Sequence, residues 1–391
     1  MIEKKISYVR ILKVEIENFK NIVFGKIEFL SNQAVKKQKA ESVSDVMGIY
    51  GQNGSGKTAL IEALQVWKEW IQERSLPEEL QALLKENTAI KMTFLVKNEE
   101  KFHIVEQEQY IKKEERNFTR ESVTGYHTWN GKSWGRRKKG TFFLPILKQY
   151  AKDGLWIVTA RQLGRINLNM GVSIDFSVNP ENGLLCEEKH ISLFEENFLP
   201  KEEMWHSYRM IRQMNIVLQS ILPGLQITIK EHEEDGLVKF QFYAEREGRK
   251  FPLKYESGGL KRLISVLSIL IAGYHSLSIC VVIDEVDAGI FEFLLGELLE
   301  MMRNSAKGQF LFTSHNLRAL EVLGREHIVF STSNPENRFV PFSRIGKSKN
   351  LRDEYLRALL IGGQKEALYD EPKAYEMGYA FRKAGKLYDE F

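Results

Sequence analysis

The sequence predicts an α/β fold with a mostly parallel central sheet, and three short segments carry that prediction. The first is GQNGSGKT at residues 51–58, a glycine-rich run between a strand-like segment and a helix-like one. The other two are the apolar runs Cys280–Ile283 and Gln309–Thr313, each of which ends at polar residues. Apolar strands that end at polar residues are typical of buried parallel strands whose carboxyl ends share one sheet edge. We therefore expect functional side chains to gather at that edge.

GQNGSGKT matches the phosphate-loop pattern GxxxxGK[ST]. Its glycines let backbone N–H groups approach anionic oxygens where a Cβ would collide, and the helix that follows directs its positive end to the same oxygens. Lys57 is expected to reach the β- and γ-phosphates of a nucleotide, and Thr58 to offer its hydroxyl to Mg²⁺. The other residues of the predicted nucleotide-binding loop are Asn53, Gly54, Ser55, Gly56 and Ala59.

Length and composition limit the alternatives. The 391 residues exceed one average domain, but a doubly wound core with insertions can use them, and we predict a single domain over residues 1–391. Lys plus Arg outnumber Asp plus Glu by only 56 to 52, which does not by itself indicate a nucleic-acid binder. Cys186 and Cys280 are far apart and indicate neither a disulfide framework nor a zinc site. Since the first residues show no apolar secretion signal, we expect a cytoplasmic protein.

Residues 263–283 are apolar enough to raise the alternative of a membrane span. Gly273, Tyr274, His275 and four serines interrupt the run, and an acidic pair follows it. A buried helix followed by a buried strand explains this pattern better, so we predict no membrane insertion.

Segments of alternating polarity predict antiparallel strands beside the core. Residues 11–16 and 25–30 flank a turn and predict a half-buried hairpin. Further strand-like runs predict an antiparallel β lobe within residues 75–150. Their positions are 91–96, 101–105, 109–111 and 126–129, and three more runs lie at 225–229, 237–243 and 250–255.

Two regions show helical periodicity. Apolar residues recur at helical spacing from residue 191 to residue 222, which predicts a helical insertion over residues 177–224 that ends at Pro223 and Gly224. Residues 350–391 predict a C-terminal helical segment with two apolar stripes. We assign the first, at Leu351, Tyr355 and Leu359, to the core. The second, at Tyr375, Tyr379, Phe381 and Leu387, either docks another protein or closes the core.

Asp284 and Glu285 directly follow the apolar run 280–283. In that position Asp284 is expected to hold magnesium through water. Glu285 is expected to orient and activate the water that attacks the γ-phosphate, a general-base role worth typically about 10²–10⁴-fold in rate. A solvated acidic pair at a strand end is the alternative, and the phosphate loop's need for an acidic partner favours the functional interpretation.

Two more segments complete the candidate site. His315 follows the strand-like run 309–313 at the edge where ligands bind, so it can contact the γ-phosphate, although a histidine there can also be structural. Ser257, Gly258 and Gly259 open a predicted helix, and a hydroxyl with glycine N–H groups at a helix start forms an anion site. The alternative is an ordinary serine N-cap with a glycine turn.

The segments GQNGSGKT, ESGGLKRL, VVIDEVDAGI and FLFTSHN occur in the order found in ABC-type ATPase heads. The chain resembles the SMC/RecF-like group of these P-loop ATPases, and in particular the prokaryotic AAA-family ATPases found with abortive-infection, OLD-like and related phage-defence proteins. ENFKNI at residues 17–22 is similar to the N-terminal strand and turn of that group. The resemblance spans residues 11–330, with firm matches confined to short segments.

The resemblance implies an ATP sandwich, in which the phosphate loop of one subunit faces Ser257, Gly258 and Gly259 of another. It further implies Mg²⁺-dependent hydrolysis of ATP to ADP and phosphate. Each site then needs two chains, so a homodimer or higher oligomer is expected.

The resemblance also implies individual roles. Lys57, Glu285 and His315 would be the catalytic residues, with His315 as the switch histidine. Asp287 would couple the two sites across the interface. A glutamine that contacts magnesium is expected as well, and Gln162 is the first candidate for it, ahead of Gln149.

One segment departs from the group. The group often has His-Pro after the Asp287 segment, where this chain has Gly289, Ile290, Phe291 and Glu292.

The interval between Thr58 and Ser257 reads as strands and short helices, so we expect no long arms of the chromosome-organising type. The residues after His315 lack the spaced acidic clusters of a Toprim nuclease. The expected function is therefore an ATP-driven dimeric switch of an anti-phage system, which controls a separate effector such as a nuclease. A RecF-like DNA-repair ATPase that binds DNA is the alternative, and ENFKNI and ESGGLKRL argue against a transporter subunit.

A basic segment suggests a further partner. Two tryptophans, Trp129 and Trp134, flank cations without any acid among them, a composition suited to a nucleic-acid backbone with base stacking. A solvated hairpin tip is the alternative. The cations are Lys132, Arg136, Arg137, Lys138 and Lys139.

Overall fold

A computed structural model describes most of the chain. The described residues are 6–37, 44–98, 101–114, 117–130, 132–159, 165–167, 190–234, 236–342, 350–361, 366, 368 and 374–386. The strands are β1 (Ile6–Phe19), β2 (Ile22–Glu28), β3 (Asp45–Tyr50), β4 (Leu84–Asn98), β5 (Phe102–Glu114), β6 (Asn117–Thr128), β7 (Lys138–Lys139), β8 (Leu155–Val158), β9 (Arg165–Asn167), β10 (His190–Ser192), β11 (Asn197–Pro200), β12 (Gln226–Glu234), β13 (Leu237–Arg246), β14 (Arg249–Pro252), β15 (Cys280–Ile283), β16 (Gln309–Thr313), β17 (Ile328–Ser331) and β18 (Phe339–Pro341). The helices are α1 (Leu30–Lys36), α2 (Lys57–Ile71), α3 (Glu78–Gln81), α4 (Leu144–Gln149), α5 (Met204–Ile221), α6 (Gly258–His275), α7 (Glu292–Ser305), α8 (Arg318–Val322), α9 (Leu351–Ile361) and α10 (Ala374–Lys386).

The central sheet has the strand order β18-β17-β3-β16-β15-β8. From β17 to β8 all strands are parallel, and only the edge strand β18 is antiparallel. Every residue of β3, β15 and β16 is buried, as expected for parallel strands covered on both faces. The predicted parallel sheet is confirmed.

The central sheet separates two apolar cores. Val281 and Ile283 of β15 pack into one core together with α6 and α7, whereas Cys280 and Val282 pack into the other with α2. Successive side chains of a strand point to opposite faces, so an uninterrupted apolar run is what a strand between two cores requires.

An antiparallel sheet with the order β2-β1-β4-β5-β6-β7 lies on the α2 side. The hairpin predicted around residues 18–21 is confirmed as β1 paired with β2. Helix α2 contributes to the same core as β1, β4 and the central sheet, and its Trp67 Nε1 donates to Gln107 Oε1 of β5 at 2.5 Å. The antiparallel sheet thereby braces the helix that follows the phosphate loop.

A buried polar network joins β1 to the central sheet. Arg10 Nη2 forms an ion pair with Asp45 Oδ2 at 2.8 Å, and both side chains are inaccessible to solvent. Gln309 Nε2 donates to the same carboxylate at 2.9 Å, and its amide also bonds the backbone of Ile11 in both directions. Such a network fixes the register between the two sheets, because each broken bond would leave a buried polar atom unpaired.

The second antiparallel sheet contains β11, β12, β13 and β14. The three strand-like runs after residue 225 are confirmed as β12, β13 and β14. The helical insertion predicted over residues 177–224 is wrong for residues 190–200, where β10 and β11 are strands and β11 pairs with β13. Pro200 ends β11, and α5 begins at Met204. Residues 177–189 of the predicted insertion lie outside the described residues. Asn197 also caps the turn before β11, accepting from Ser192 N at 2.7 Å.

Two helices form the described part of the C-terminal segment. Leu351 and Tyr355 of α9 are buried, and the Tyr355 ring stacks on Phe330 with centroids 4.8 Å apart, so the first apolar stripe belongs to the core as predicted. In α10, Tyr375, Tyr379 and Phe381 are all exposed. No helix among the described residues is long and apolar enough to cross a bilayer. Residues 263–283 instead form the end of buried α6 and then β15.

Candidate functional site

The candidate site lies at the carboxyl edge of the central sheet. Because β3, β15 and β16 run parallel, the segments that follow them meet at this edge. Residues 51–56 follow β3, Asp284 follows β15 and Ser314 follows β16. The edge therefore brings together the three motifs that the sequence places on separate strands.

The phosphate loop owes its shape to glycines at three positions. Gly51, Gly54 and Gly56 have φ values of +154°, +80° and +98°, a region that residues with a Cβ seldom adopt. At Gly51 space is also limiting, since a Cβ there would lie 2.2 Å from Ser331 Oγ. Gly56 is the residue from which α2 begins. The loop's backbone can therefore approach a ligand where side chains would block it.

Hydrogen bonds hold the loop in place. Lys57 Nζ donates to Gly51 O at 2.8 Å and to Gln52 O at 2.9 Å. Ser55 Oγ donates to Gln52 O at 2.7 Å, and its separation from Ser331 Oγ is 2.5 Å. Lys57, which is predicted to contact phosphate, thus folds back onto the carbonyl groups at the start of its own loop and is only 7% exposed.

The remaining loop residues divide into exposed and supporting positions. Asn53 and Gly54 are exposed, and Thr58 is half-buried at the start of α2. Ala59 is buried in the core, so its side chain supports the helix and only its backbone can face a ligand. Asn21 Nδ2 donates to Gly54 O at 2.7 Å, which ties the β1–β2 turn to the loop.

Asp284 and Glu285 are held by Thr313, the last residue of β16. Thr313 Oγ1 donates to Asp284 Oδ1 at 2.5 Å and accepts from Glu285 N at 2.7 Å. Glu285 is exposed and has φ +49°, a left-handed conformation that costs a residue with a Cβ about 1–2 kcal/mol. Strain of this kind persists where the surroundings fix it, and it is concentrated at functional sites.

Arg262 supplies the second fixing contact. Its Nη2 donates to Asp284 O and to Glu285 O, both at 2.7 Å, from one turn into α6. Burial lowers the pKa of this guanidinium, and the carboxylates of Glu285, Asp284 and Asp287 oppose the shift. Neither Arg262 nor Thr313 is among the site residues predicted from the sequence. Their position in ESGGLKRL and at the end of an apolar strand was the available signal.

Charged groups form one cluster around this edge. Burial lowers the pKa of Lys57, and the carboxylates of Asp284, Glu285 and Asp287 oppose that shift. Partial burial lowers the pKa of His315 and the positive charge of Lys57 lowers it further, against the same three carboxylates. This shift favours the neutral form of His315, which can donate or accept a hydrogen bond.

Asp287 contacts the histidine segment. His315 N donates to Asp287 Oδ2 at 3.2 Å, whereas Asp287 Oδ1 is buried and has no hydrogen-bond partner among the described residues. A buried carboxylate oxygen without a donor is costly.

The helix start at Ser257 is exposed. Ser257 Oγ accepts from Leu260 N at 3.3 Å, so the serine is the N-cap of α6. Gly259 packs on the segment after Asp287, because a Cβ at Gly259 would lie 2.8 Å from Gly289 O. Gly289 has φ +73°, a conformation that suits glycine at this position where the group often has His-Pro. Ser257 and Gly258 remain accessible to a second molecule.

The donors at this edge fit magnesium and a polyphosphate. The Asp284 carboxylate and the Thr58 hydroxyl are hard oxygen ligands, and Mg²⁺ usually takes one or two such ligands together with phosphate and water. Nowhere in the described part of the chain do three His, Cys, Asp or Glu side chains converge as a complete metal site. The magnesium predicted here would thus bind together with a nucleotide.

The structure does not place either candidate for the predicted magnesium-contacting glutamine at the site. Gln162 lies outside the described residues. Gln149 ends α4 and donates to Asp153, ahead of β8. It therefore lies near the amino end of β8, whereas the site is at the carboxyl end.

Comparisons with known proteins agree with this fold. A protein-family model described as an AAA domain matches residues 13–144. The Smc head domain of Pyrococcus yayanosii, with a coiled coil and joint, superposes with a TM-score of 0.51 at 10% identity, covering 89% of this chain and 99% of that one. The Smc head domain of Pyrococcus furiosus, bound to the C-terminal domain of ScpA, gives 0.50 at 13% identity, covering 86% and 96%. A search of curated protein sequences found no match.

At such identities the likeness concerns the fold alone. The chain has the fold of an SMC-head P-loop ATPase, with the α/β architecture predicted from its motifs.

Proposed function

We propose that two copies of this chain bind ATP between them and hydrolyse it, as a cytoplasmic dimeric switch that controls a separate effector protein. One observation supports this most directly. Lys57, Glu285 and His315 share one charged cluster at the sheet edge, although they come from three segments of the chain.

Different residues of the chain would bind the phosphates, hold magnesium and accept the proton. The N–H groups of the phosphate loop and Lys57 would bind the phosphates, and Thr58 and Asp284 would hold the magnesium ion, which withdraws charge from the phosphates. Glu285 would accept the proton of the attacking water. Its fixed left-handed backbone sets the direction of the carboxylate. Neutral His315 would donate to the γ-phosphate and so report its presence.

The proposal of two copies rests on an exposed helix start in each copy. Ser257 and Gly258 form an exposed helix start that can bind an anion. A second copy placed against the first would bring its Ser257 to the γ-phosphate.

The test uses Glu285→Gln and the mass of the protein in solution. The variant should bind ATP, hydrolyse it at least about 10²-fold more slowly, and accumulate as a dimer on ATP and magnesium, because the step that releases the partner is blocked. Glu247→Gln is the matched control, since Glu247 is also exposed with positive φ (+50°) but lies in the β13–β14 turn. Normal turnover in Glu285→Gln would remove Glu285 as the base.

The control of an effector protein is proposed from a structural comparison and from the motifs. The superposed P. furiosus Smc head is bound to the C-terminal domain of ScpA, so this fold can carry a second protein. A phage-defence role rests on the resemblance of the motifs. Purification of the chain with and without the product of a neighbouring gene, followed by mass and ATPase measurements, would test it. ATPase activity indifferent to that product would count against this control.

A DNA-binding alternative is favoured by one observation. Lys132, Arg136, Lys138 and Lys139 are all exposed, whereas Arg137 is paired with Glu106 at 3.0 Å. Trp129 and Trp134 pack on each other with centroids 5.4 Å apart, which leaves less ring surface for stacking on bases. Charge reversal at Lys132 and Arg136 should reduce binding to DNA or RNA and its salt dependence. Unchanged affinity would dismiss this surface.

A further inference from the structure

Arg338 is a buried cation next to the phosphate loop. It lies directly before β18, and only 4% of it is exposed. Nη1 donates to Thr332 O at 2.5 Å and Nη2 donates to Asn21 O, while Nε has no partner in the described part of the chain. Among the described residues no carboxylate forms an ion pair with Arg338. The two hydrogen bonds it makes to described residues therefore go to neutral carbonyl groups.

The Arg338 side chain contacts Gly56, the N-cap residue of α2. A Cβ at Gly56 would lie 3.0 Å from Arg338 Cδ and 3.4 Å from its Nε. Arg338 thus fills the space behind the phosphate loop. Asn21, whose carbonyl accepts from Arg338, also donates to Gly54 O at 2.7 Å. The guanidinium, the β1–β2 turn and the loop form one contact group.

Among the described residues no carboxylate compensates the charge of Arg338, and burial lowers its pKa. Two other described arginines are buried and differ in this respect. Asp45 lies 2.8 Å from Arg10, and the carboxylates of Glu285, Asp284 and Asp287 oppose the effect of burial on the pKa of Arg262. A buried charge without a counter-charge is costly, and an anion bound nearby would recover part of that cost. The nearest predicted anion is a phosphate on the N–H groups of residues 53–58.

We propose that Arg338 is a positioning residue of the ATP site, which holds the β1–β2 turn against the phosphate loop and whose charge favours a bound triphosphate. This inference rests on the proposed function. At an effective dielectric constant near 20, a unit charge within about 10 Å of a phosphate charge would change the affinity roughly tenfold or more.

The experiment compares Arg338→Gln, which keeps donors but no charge, with Arg338→Lys, which keeps the charge. ATP and ADP affinities are measured at low and high salt. Arg338→Gln should weaken ATP binding about tenfold, and ADP binding less, with the difference shrinking in salt. Arg338→Lys should stay within about threefold of the parent. Lys148→Gln is the control, since this cation lies near the far end of α2 and pairs with Glu73.

The outcomes separate the two proposals. A parent chain that binds no ATP would refute the proposed function itself. A parent that binds ATP while Arg338→Gln binds it equally well would overturn the role of Arg338. If both variants weakened ATP and ADP binding to the same extent, Arg338 would act through packing alone, and the proposed effect of its charge would be overturned.

A second measurement applies if Arg338→Gln does not fold. A buried unpaired lysine loses its proton more readily than an arginine, so the ATP affinity of Arg338→Lys should fall between pH 7 and pH 10 relative to the parent. Parallel pH profiles would overturn the proposal.

Discussion

Thr313 offers the sharpest test of how the acidic end of β15 is built. Its hydroxyl joins the Asp284 carboxylate at 2.5 Å to the Glu285 backbone N–H at 2.7 Å, and the residue is inaccessible to solvent. Thr313→Val keeps the shape and the strand preference but removes both bonds. The neutral bond is worth about 0.5–1.5 kcal/mol and the bond to the carboxylate about 1.5–3 kcal/mol, so we expect a loss of about 2–4 kcal/mol in the free energy of unfolding.

The same substitution should reduce activity more than stability alone explains. With one of its two fixing contacts gone, Glu285 can leave the left-handed conformation, and ATP turnover should fall even where the protein is fully folded. Urea unfolding measures the first effect and ATPase assays below the transition measure the second.

Thr93→Val is the matched control. Thr93 is also a buried strand threonine, but its Oγ1 has no partner among the described residues. Its replacement should be neutral or slightly stabilising. If Thr313→Val and Thr93→Val unfold at the same urea concentration as the parent and hydrolyse ATP normally, the proposed linkage through Thr313 is refuted.

Three further predictions follow from other parts of the structure. Lys57→Ala should lose nucleotide affinity in a direct binding assay, because the loop loses its only lysine; unaltered binding would contradict that role. Gly259→Val should prevent dimer formation on ATP but not ATP binding to the monomer, as its side chain would collide with Gly289 O; gel filtration with ATP distinguishes the two. Asp45→Ala should cost about 3–5 kcal/mol in urea unfolding by leaving the buried Arg10 without its carboxylate, whereas removal of the exposed Lys201 charge should leave the unfolding transition nearly unchanged.

The parallel sheet could be predicted because its signals are local. Residues 280–283 and 310–312 are continuously apolar and polar residues follow each run, a pattern produced by burial on both faces. The stretch from residue 191 to residue 203 could not be predicted in the same way. Its apolar residues have helical spacing, but pairing of β11 with β13 decides its conformation, and that partner lies forty residues further along the chain.

The candidate site shows the same division. Residues 51–58 form a contiguous motif, so the phosphate loop and the start of α2 follow from the sequence. The side chains that hold the acidic pair Asp284 and Glu285 in place do not follow from the sequence in this way. Thr313 and Arg262 act on Asp284 and Glu285 through space, across a strand pair and from a neighbouring helix. Arg262 lies in ESGGLKRL and Thr313 ends an apolar strand, but neither position shows which backbone carbonyl or carboxylate the side chain contacts.

The central claim is that ATP is clasped by two chains, and a structure of Glu285→Gln with ATP and magnesium tests it most directly. The account predicts that the triphosphate contacts Lys57 of one copy and Ser257 of the other. A complex in which ATP occupies the phosphate loop while every Ser257 faces solvent would contradict it.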